Sequence, residues 1–403
     1  MKFAHFSDVH LGSWSSHPEM HELALQTFEK SMDICLAEPV DFILIAGDLF
    51  DTSLPSVDVL RRAAVKFRQC REAGVAVYVI PGSHDFSPTG KTFINVLEDA
   101  GLVVNVAKGS EANGKLRLQV TEDTKTGAKL CGVVGRAGAL ESRYFEQLDR
   151  SVEQENGFKI FMFHSAIAEY KPEHLREMPA LPLSLLPRGF DYYAAGHVHH
   201  VFEKDEPGFG KIVFPGALFP TEFAEIEKYD PGFFIVEQRS ALHATRRTVK
   251  LHNVLLIDVA VDNKTPKAVE AEIHGRIAAA SMQGSIVLLR VRGVLDGRPS
   301  GIDFRSLCAA AYMKGAFAVK RSTSQMTTKE LEQIQVRHTA SIEELEKMII
   351  REHVGKIRSP FTDEGAATTR LMEALNDEKQ EGEYSQTYEE RILGNARRAL
   401  GMD

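Results

Sequence analysis

The 403-residue sequence has little of what marks disulfide-rich or membrane proteins. It has four cysteines, which lie far apart: Cys35, Cys70, Cys131 and Cys308. They form no Cys-x-x-Cys pair, so neither a disulfide framework nor a thiolate zinc site is predicted. No apolar run is long enough to cross a bilayer, and Asp8 and His10 interrupt the start of the chain before a signal peptide's apolar core could form. We therefore expect a cytoplasmic protein with no membrane partner.

The sequence also has no excess of positive charge, since its net charge is −8. This argues mildly against a nucleic-acid coat protein, but not against a DNA enzyme, because local charge and bound metals decide phosphate affinity. With 43% hydrophobic and 26% charged residues the composition is that of an ordinary globular protein. A chain of 403 residues is too long for one compact core, so two or three domains are expected.

Apolar strands and amphipathic helices alternate through the first hundred residues. The predicted elements are strands at Lys2–Ser7, Val40–Ala46 and Val75–Ile80 and helices at Glu19–Ala37, Val57–Ala73 and Thr89–Ala100. Such alternation indicates parallel strands joined by helical crossovers. Short strands follow, from Val103–Val106 to Phe233–Glu237. The count fits an α/β fold with four layers, an αββα sandwich; a doubly wound single sheet is the alternative.

Three domains are predicted, at residues 1–248, 249–323 and 324–403. The second is a small α/β module with strands at Val254–Val261 and Ser285–Val291 around a helix at Pro266–Met282. Beyond Ser324 the sequence becomes charged and helical. Its predicted helices are Thr328–His338, Ser341–Val354, Gly365–Asn376 and Tyr388–Leu400.

Five short motifs each follow a run of apolar, mostly β-branched residues. They are Asp8-Val9-His10, Gly47-Asp48, Gly82-Ser83-His84-Asp85, His164 and Gly196-His197-Val198-His199. This places them at the carboxyl edge of a sheet, where ligands bind in open α/β proteins. In extended backbone, residues two apart such as Asp8 and His10 point the same way. Carboxylates and imidazoles without thiolates suit manganese, iron or zinc. The motifs therefore predict a pocket for two divalent metal ions, with Mn²⁺ as the first choice.

The motif series resembles the calcineurin-type metallophosphoesterase superfamily. Within it, three segments resemble the double-strand-break repair nucleases of the SbcD type and their archaeal relatives. These are Phe6-Ser7-Asp8-Val9-His10-Leu11-Gly12, Gly47-Asp48-Leu49-Phe50-Asp51 and Gly196-His197-Val198-His199. The resemblance covers residues 1–240; the small module matches the family's DNA-capping domain in position and size only.

The resemblance implies a dinuclear site and a role for each ligand. One metal would be held by Asp8, His10, Asp48 and His199, and the other by Asp48, His164, His197 and the residue at position 83. The two ions would activate a bridging hydroxide for in-line attack on a phosphodiester. His84 would protonate the leaving oxygen as general acid, and Asp85 would orient its imidazole.

One position departs from the family pattern. Position 83 is normally asparagine, whose amide oxygen binds the second metal, whereas Ser83 offers a neutral hydroxyl on a shorter arm. Weaker occupancy of the second site is therefore expected. Asp51 also stands where some archaeal relatives have a phosphate-contacting histidine.

Three functions remain open from the sequence. The first is a manganese-dependent DNA exonuclease and endonuclease in double-strand break repair. It would act as a homodimer with a coiled-coil ABC-type ATPase of the SMC class, which the carboxyl-terminal helices would dock. Arg246, Arg247 and Lys250 are the candidate DNA-phosphate contacts. The alternatives are a phosphodiesterase acting on a small nucleotide and a catalytically weakened scaffold, for which Ser83 is the reason.

Overall fold

The structure is a computed structural model that describes residues 1–86, 91–136, 140–328, 350, 361, 363–377 and 385–401. The chain divides into two units, Met1–Met326 and Thr327–Asp403. The domain boundaries expected after residues 248 and 323 stay predictions.

The first unit contains a six-stranded sheet made largely from the first hundred residues. Its strands are β1 (Lys2–Phe6), β2 (Phe42–Ala46), β3 (Ala76–Ile80), β4 (Val104–Asn105), β13 (Gly232–Gln238) and β14 (Leu242–Thr248), in the order β14-β13-β1-β2-β3-β4. β1 to β4 are parallel, and β13 and β14 extend the sheet in antiparallel fashion. The helices α1 (Pro18–Ala37), α2 (Val57–Glu72) and α3 (Phe93–Asp99) cover its outer face.

A second six-stranded sheet follows. Its strands are β7 (Thr121–Glu122), β8 (Lys129–Gly132), β9 (Lys159–His164), β10 (Tyr192–Gly196), β11 (Phe202–Asp205) and β12 (Lys211–Phe214), in the order β11-β12-β10-β9-β8-β7. The short helix α4 (Ser142–Glu146) and several 3₁₀ turns cover its outer face. A separate hairpin pairs β5 (Gly109–Ala112) with β6 (Lys115–Leu118).

The two sheets pack face to face over a shared apolar layer. Side chains from both sheets, including Phe3, Leu44, Ile160 and Tyr192, are fully buried in it. Every residue of β2 and β9 is buried, as expected for strands covered on both faces. The predicted four-layer αββα sandwich is confirmed, and the single doubly wound sheet is wrong.

The small module forms a third sheet. Parallel strands β15 (Val254–Ala260), β16 (Ile286–Leu295) and β17 (Ala318–Ser322) pair in that order, and β18 (Met326–Thr328) pairs with β16. The helices α6 (Pro266–Ala279) and α7 (Phe304–Met313) cover one face. The opposite face packs Leu288 and Ala318 against Leu23 of α1 and Ile226 of α5 (Phe223–Lys228).

The second unit contains two helices among its described residues, α8 (Glu364–Leu375) and α9 (Ser385–Ala399), close to the predicted bounds. The Asp363 side chain caps α8 by accepting from the Ala366 amide. The other two predicted tail helices, Thr328–His338 and Ser341–Val354, fall almost entirely outside the described residues. Within the described ranges, no helix combines the length and apolar character that a membrane span needs.

Candidate metal centre

The strand ends bring the predicted residues to one place. Asp8 follows β1, Asp48 follows β2 and the 82–85 loop follows β3, while His164 ends β9 and His197 follows β10. The first three come from one sheet and the last two from the other. The site therefore lies where the carboxyl edges of the two sheets meet, as the strand placement predicted.

The backbone at the candidate ligands is left-handed. Asp8, His10, Asp48 and His197 have φ of 49°, 46°, 49° and 86°. For residues other than glycine this conformation costs about 1 kcal/mol or more and persists only where the surroundings impose it. The expectation that Asp8 and His10 converge through extended backbone is therefore wrong. Their side chains meet because two left-handed residues turn the chain sharply.

Glycines allow the two sheet edges to approach this closely. A Cβ on Gly47 would lie 2.1 Å from His164 Nδ1, and one on Gly196 would lie 2.1 Å from the carbonyl oxygen of Ala46. Both distances are far below van der Waals contact. At these positions only glycine lets His164 reach the ligands of the other sheet.

Asp8, His10 and His199 form one group of facing ligand atoms. His10 Nε2 lies 3.2 Å from His199 Nε2, and His199 Nε2 lies 3.6 Å from Asp8 Oδ1. The backbone amide of His197 donates to both carboxylate oxygens of Asp8 at 3.1 Å, which fixes that carboxylate.

A second group contains Asp8, Asp48 and His164. His164 Nε2 lies 3.1 Å from Asp48 Oδ2 and 3.9 Å from Asp8 Oδ1. Asp48 Oδ2 is also 3.8 Å from His10 Nε2, so Asp48 faces both groups. His197 lies alongside, with its ring 5.2 Å from that of His164. Carboxylates shared between two groups can bridge two cations.

The carboxylates and imidazoles of the cluster shift one another's pKa values. Burial alone would lower the pKa of His164, but Asp48 and Asp8 raise it to about 10. Burial alone would also lower the pKa of His199, but the carboxylates of Asp8 and Glu225 raise it well above its usual value. The pKa values of Asp8 and Asp48 are held far below their usual range, against the effect of burial, by these imidazoles. Burial and the charge of His164 lower the pKa of His197 to about 4, so this imidazole is neutral.

The buried nitrogen of His164 tests whether a metal fits. Its Nδ1 donates to the Ala46 carbonyl at 2.8 Å. Its Nε2 is buried and without a hydrogen-bond partner, and it lies 3.1 Å from Asp48 Oδ2. An imidazole nitrogen held in this orientation and facing two carboxylates is a donor set for a divalent ion. The residues present therefore fit the metals that the sequence predicts.

Glu225 is part of the site and was missed from the sequence. Its carboxylate accepts from His199 Nδ1 at 2.7 Å, an arrangement that fixes the orientation of metal-binding histidines. It also accepts from the Thr221 amide at 2.8 Å. With Glu222 it forms the capping box of α5. Two acidic residues spaced three apart directly after Pro220-Thr221 were the available signal for a helix start.

The predicted pairing of His84 with Asp85 is corrected. The His84 imidazole donates from Nδ1 to the backbone carbonyl of Asp51 at 2.8 Å. The buried carboxylate of Asp85 instead accepts from the amides of Gly82, Leu49 and Phe50 at 2.9, 3.2 and 3.0 Å. Asp85 thus holds two loops together, because a carboxylate in a dry environment needs several donors.

Ser83 reaches the cluster weakly. Its hydroxyl lies 3.4 Å from Asp48 Oδ2, at the long end of hydrogen-bond distance. Beside it the His84 amide donates to Asp48 Oδ1 at 2.8 Å. Asp51 Oδ1 lies 3.3 Å from His10 Nδ1, so Asp51 contacts a candidate ligand directly.

An open cleft of about 420 Å³ lies above the cluster. Its lining includes His10, Asp48, Ser83, His84 and His199. None of the three predicted DNA-contacting cations lines this cleft. Arg247 pairs with Glu38 and Lys250 with Asp230, at 3.2 Å each, and Arg246 donates to the Asp230 carbonyl. Their role in DNA binding stays a prediction.

Known proteins resemble this chain in sequence. Residues 1–201 match the calcineurin-like phosphoesterase family. The DNA double-strand break repair protein Mre11 of Archaeoglobus fulgidus is 26% identical over 426 aligned residues, which cover 98% of this chain and 86% of that protein. The protein of the same name from Methanopyrus kandleri is 29% identical over 252 residues, 59% of this chain and 54% of that protein, so the alignment spans about half of its length.

Among solved structures, a dimetal phosphatase from Danio rerio aligns with a TM-score of 0.42 at 11% identity, covering 62% of this chain and 96% of the other. The family match includes the candidate ligands Asp8, Asp48, His164 and His197, which lie at or just after strand ends. Through residues 1–201 this chain belongs to the calcineurin-like phosphoesterase family, and it is a metal-dependent hydrolase of phosphate esters.

Proposed function

We propose that the chain is a metal-dependent DNA nuclease of double-strand break repair, with exonuclease activity on duplexes and endonuclease activity on single strands. The observation that carries the proposal is the convergence of carboxylates and imidazoles from both sheets beneath one open cleft. The relatives named as DNA double-strand break repair proteins support DNA as the substrate, since one of them aligns with 98% of this chain.

The residues that would hold the two ions are those that the family resemblance implies, and the structure also brings His84 together with His10 and Asp48 in a third group of ligand atoms. Asp8, Asp48, His10 and His199 suit one ion, and Asp48, His164 and His197, with Ser83 nearby, suit the other. Mn²⁺ is our choice because the donors are oxygens and imidazoles. When bound, the ions supply a nucleophilic water at neutral pH and neutralise charge on the phosphate oxygens.

The protein side chains position the ligands and handle the proton. Ala46 and Glu225 fix the rings of His164 and His199 through their Nδ1 atoms. His84 lines the cleft and is anchored by Nδ1, so Nε2 is the nitrogen that can give a proton to the leaving oxygen. General acids of this kind contribute about 10²- to 10⁴-fold to the rate.

The proposal extends to partners and location. We propose a homodimer that acts in the cytoplasm with a coiled-coil ABC-type ATPase. The small α/β module would cap the DNA. The helical tail would dock the ATPase, because recognition of a small phosphodiester would need neither element.

A nuclease assay tests the proposal. Purified full-length protein with MnCl₂ should shorten blunt linear duplex and nick circular single-stranded DNA, and EDTA should stop both reactions. His84→Ala should lower the rate at least 100-fold while Mn²⁺ binding, measured by calorimetry, stays unchanged. His243→Ala, an exposed histidine on β14, is the matched control and should behave as the unchanged protein.

The same assay separates the alternatives. Hydrolysis of cyclic nucleotides without DNA cleavage would favour a small-substrate phosphodiesterase. Absence of any metal-dependent hydrolysis in protein that binds DNA would favour the scaffold. Either result would overturn the nuclease proposal.

Ser83→Asn tests the departure at position 83. Asparagine would bring an amide oxygen on a longer arm toward the second ion, so binding of that ion should strengthen about tenfold in a calorimetric Mn²⁺ titration. The first ion should bind as before. A titration curve identical to that of the unchanged protein would show that Ser83 does not limit the second site.

A further inference from the structure

Helix α5 lies between the metal centre and the small α/β module, and it contacts both. Toward the centre, Glu225 accepts from His199 Nδ1 at 2.7 Å. Just beyond the helix end, the Tyr229 hydroxyl lies 2.7 Å from Nδ1 of His200, the residue after His199. The segment that carries this candidate ligand is thus held by α5 and the residue after it.

Toward the module, the same helix contacts β16. The guanidinium of Arg290 pairs with the Glu227 carboxylate and lies over the Phe223 ring, 5.6 Å from its centroid. Ile226 packs with Leu288 of β16 in a buried cluster. The Arg290 side chain is only 20% exposed, so solvent screens this ion pair less than a surface pair.

Helix α5 is too short to be stable without contacts to the rest of the protein. It contains six residues, which is well below the length at which an isolated helix is stable in water. Its placement must come from tertiary contacts, which Arg290 and Leu288 supply. A shift of α5 would carry Glu225 away from His199.

We infer that Arg290 is a positioning residue for the metal centre: through Glu227 and α5 it fixes Glu225 and so the orientation of His199. The inference rests on the proposed role of His199 as a metal ligand. Its consequence is that the module takes part in metal binding. A movement of β16 away from α5, for example when DNA binds to the module, therefore lowers the metal affinity of the centre.

Metal binding, not nuclease activity, is the direct test. Calorimetric Mn²⁺ titration of the full-length protein should give about 10- to 100-fold weaker binding at the His199 site in Glu225→Gln, the range typical for removal of a partner that orients a ligand. Arg290→Ala and Glu227→Gln should each weaken the same site three- to tenfold. The double variant should be no weaker than either single one, because both act through one contact. Arg290→Lys should recover part of the loss.

Arg292→Ala is the matched control. Arg292 lies two residues further along the same strand and pairs with Asp258 of its own module at 3.0 Å. Asp258 is also 3.9 Å from Arg290, so Arg292→Ala removes a neighbouring charge and leaves the Arg290–Glu227 pair in place. Its loss should leave Mn²⁺ binding unchanged. Urea unfolding of each variant shows that the variants are folded, and the charge exchange Arg290→Glu with Glu227→Arg should restore binding if the pair itself matters.

Two results separate failure of this inference from failure of the proposed site. If His199→Ala weakens Mn²⁺ binding but Arg290→Ala does not, the positioning role is wrong and the metal centre stands. If His199→Ala itself binds Mn²⁺ like the unchanged protein, the ligand assignment is wrong and the inference fails with it. Weakening by Arg290→Ala alone, without Glu227→Gln, would also contradict the route through α5.

Discussion

The metal centre is built from residues in conformations that their side chains disfavour. Asp8, His10 and Asp48 are left-handed although none is glycine. Gly47, beside Asp48, has a φ of +89°. Strain of this kind concentrates where function fixes the geometry. The motifs therefore carry two kinds of information: residues that supply ligand atoms, and residues that make room for them.

Gly47→Ala should abolish metal binding. The new Cβ would lie 2.1 Å from His164 Nδ1, so His164 must leave its position. The left-handed backbone alone costs about 1 kcal/mol for alanine. Displacing a buried imidazole adds to this, so we expect a loss of about 2–4 kcal/mol in the free energy of unfolding, measured in urea.

Gly74→Ala is the control for Gly47→Ala. Gly74 has a φ of +70°, and a Cβ there would meet nothing within 4 Å. It should lose about 1 kcal/mol and bind Mn²⁺ normally. Similar metal binding in the two variants would contradict the close approach of the sheet edges.

Protons and metal ions should compete for the same site. The carboxylates of Asp48 and Asp8 overcome the effect of burial and raise the pKa of His164 to about 10, so this imidazole is protonated near neutral pH and an ion must displace the proton. Mn²⁺ affinity should therefore rise between pH 6 and pH 8, about tenfold per pH unit for each proton released.

The sign of the stability effect follows from the same pKa. Because the folded pKa of His164 is raised, the metal-free protein has the full stabilisation below about pH 6.5, the usual histidine value, and loses it as pH rises toward 10. Added Mn²⁺ should therefore raise the Tm more at pH 8 than at pH 6. Calorimetry in buffers of different ionisation enthalpy counts the released protons, and a pH-independent affinity would contradict the competition.

At the scale of elements, Asp85 joins the loops that follow β2 and β3. Its carboxylate accepts from Leu49 and Phe50 on one loop and from Gly82 on the other. Burial and the nearby charge of Asp48 raise the pKa of Asp85 to about 6. Since His84 lies in the second loop, this contact fixes the position of the proposed general acid.

Asp85→Asn should destabilise the protein and impair catalysis together. The amide has one acceptor oxygen and places an NH₂ group against backbone donors, which costs about 2–3 kcal/mol for the buried groups left without partners. We expect a lower unfolding free energy and a nuclease rate at least tenfold lower with DNA binding retained.

Asp123→Asn is the control for Asp85→Asn. Asp123 is also buried and accepts from Tyr78 and Thr126, but it lies outside the residues that line the cleft. Asp123→Asn should lower the free energy of unfolding and leave the nuclease rate unchanged. Equal effects of the two variants on the nuclease rate would contradict the role of Asp85.

Elements with long apolar or periodic patterns were predictable from the sequence. α1, α2 and β3 lie within one or two residues of their predicted bounds, and the candidate ligands lie at strand ends as expected. α5 and the last strand of the first sheet, β14, were missed. β14 alternates half-buried and exposed residues only in its first half and ends in the polar run Thr245–Thr248, and α5 is too short for a helical period to appear.

The misassigned contact of Asp85 has a different cause. A sequence places Asp85 next to His84, but only the fold shows that the carboxylate turns inward to the amides of Leu49 and Phe50. The left-handed turns at Asp8 and His10 were invisible for the same reason, because residue type alone favours extended or helical backbone there.

At the scale of the whole molecule, the metal centre and the small module belong to one unit, Met1–Met326, while α8 and α9 belong to the other. Both sheets of the sandwich and the module have their own buried clusters within the first unit. The two helices of the tail leave Leu375 and Leu393 52% and 59% exposed. Apolar side chains on exposed helix faces are a common basis for partner docking.

A chain truncated after Thr328 should therefore separate hydrolysis from partner binding. It keeps every candidate ligand, α5 and β16, so Mn²⁺ affinity and the cleavage rate on short duplex should stay within about twofold of the full chain. It should lose co-purification with the coiled-coil ATPase that we propose as its partner. Leu393→Asp in the full chain should have the same selective effect, because a carboxylate on that face opposes apolar docking. If the truncated chain still binds the ATPase, the docking surface lies in the first unit, and the exposed leucines of α8 and α9 need another explanation.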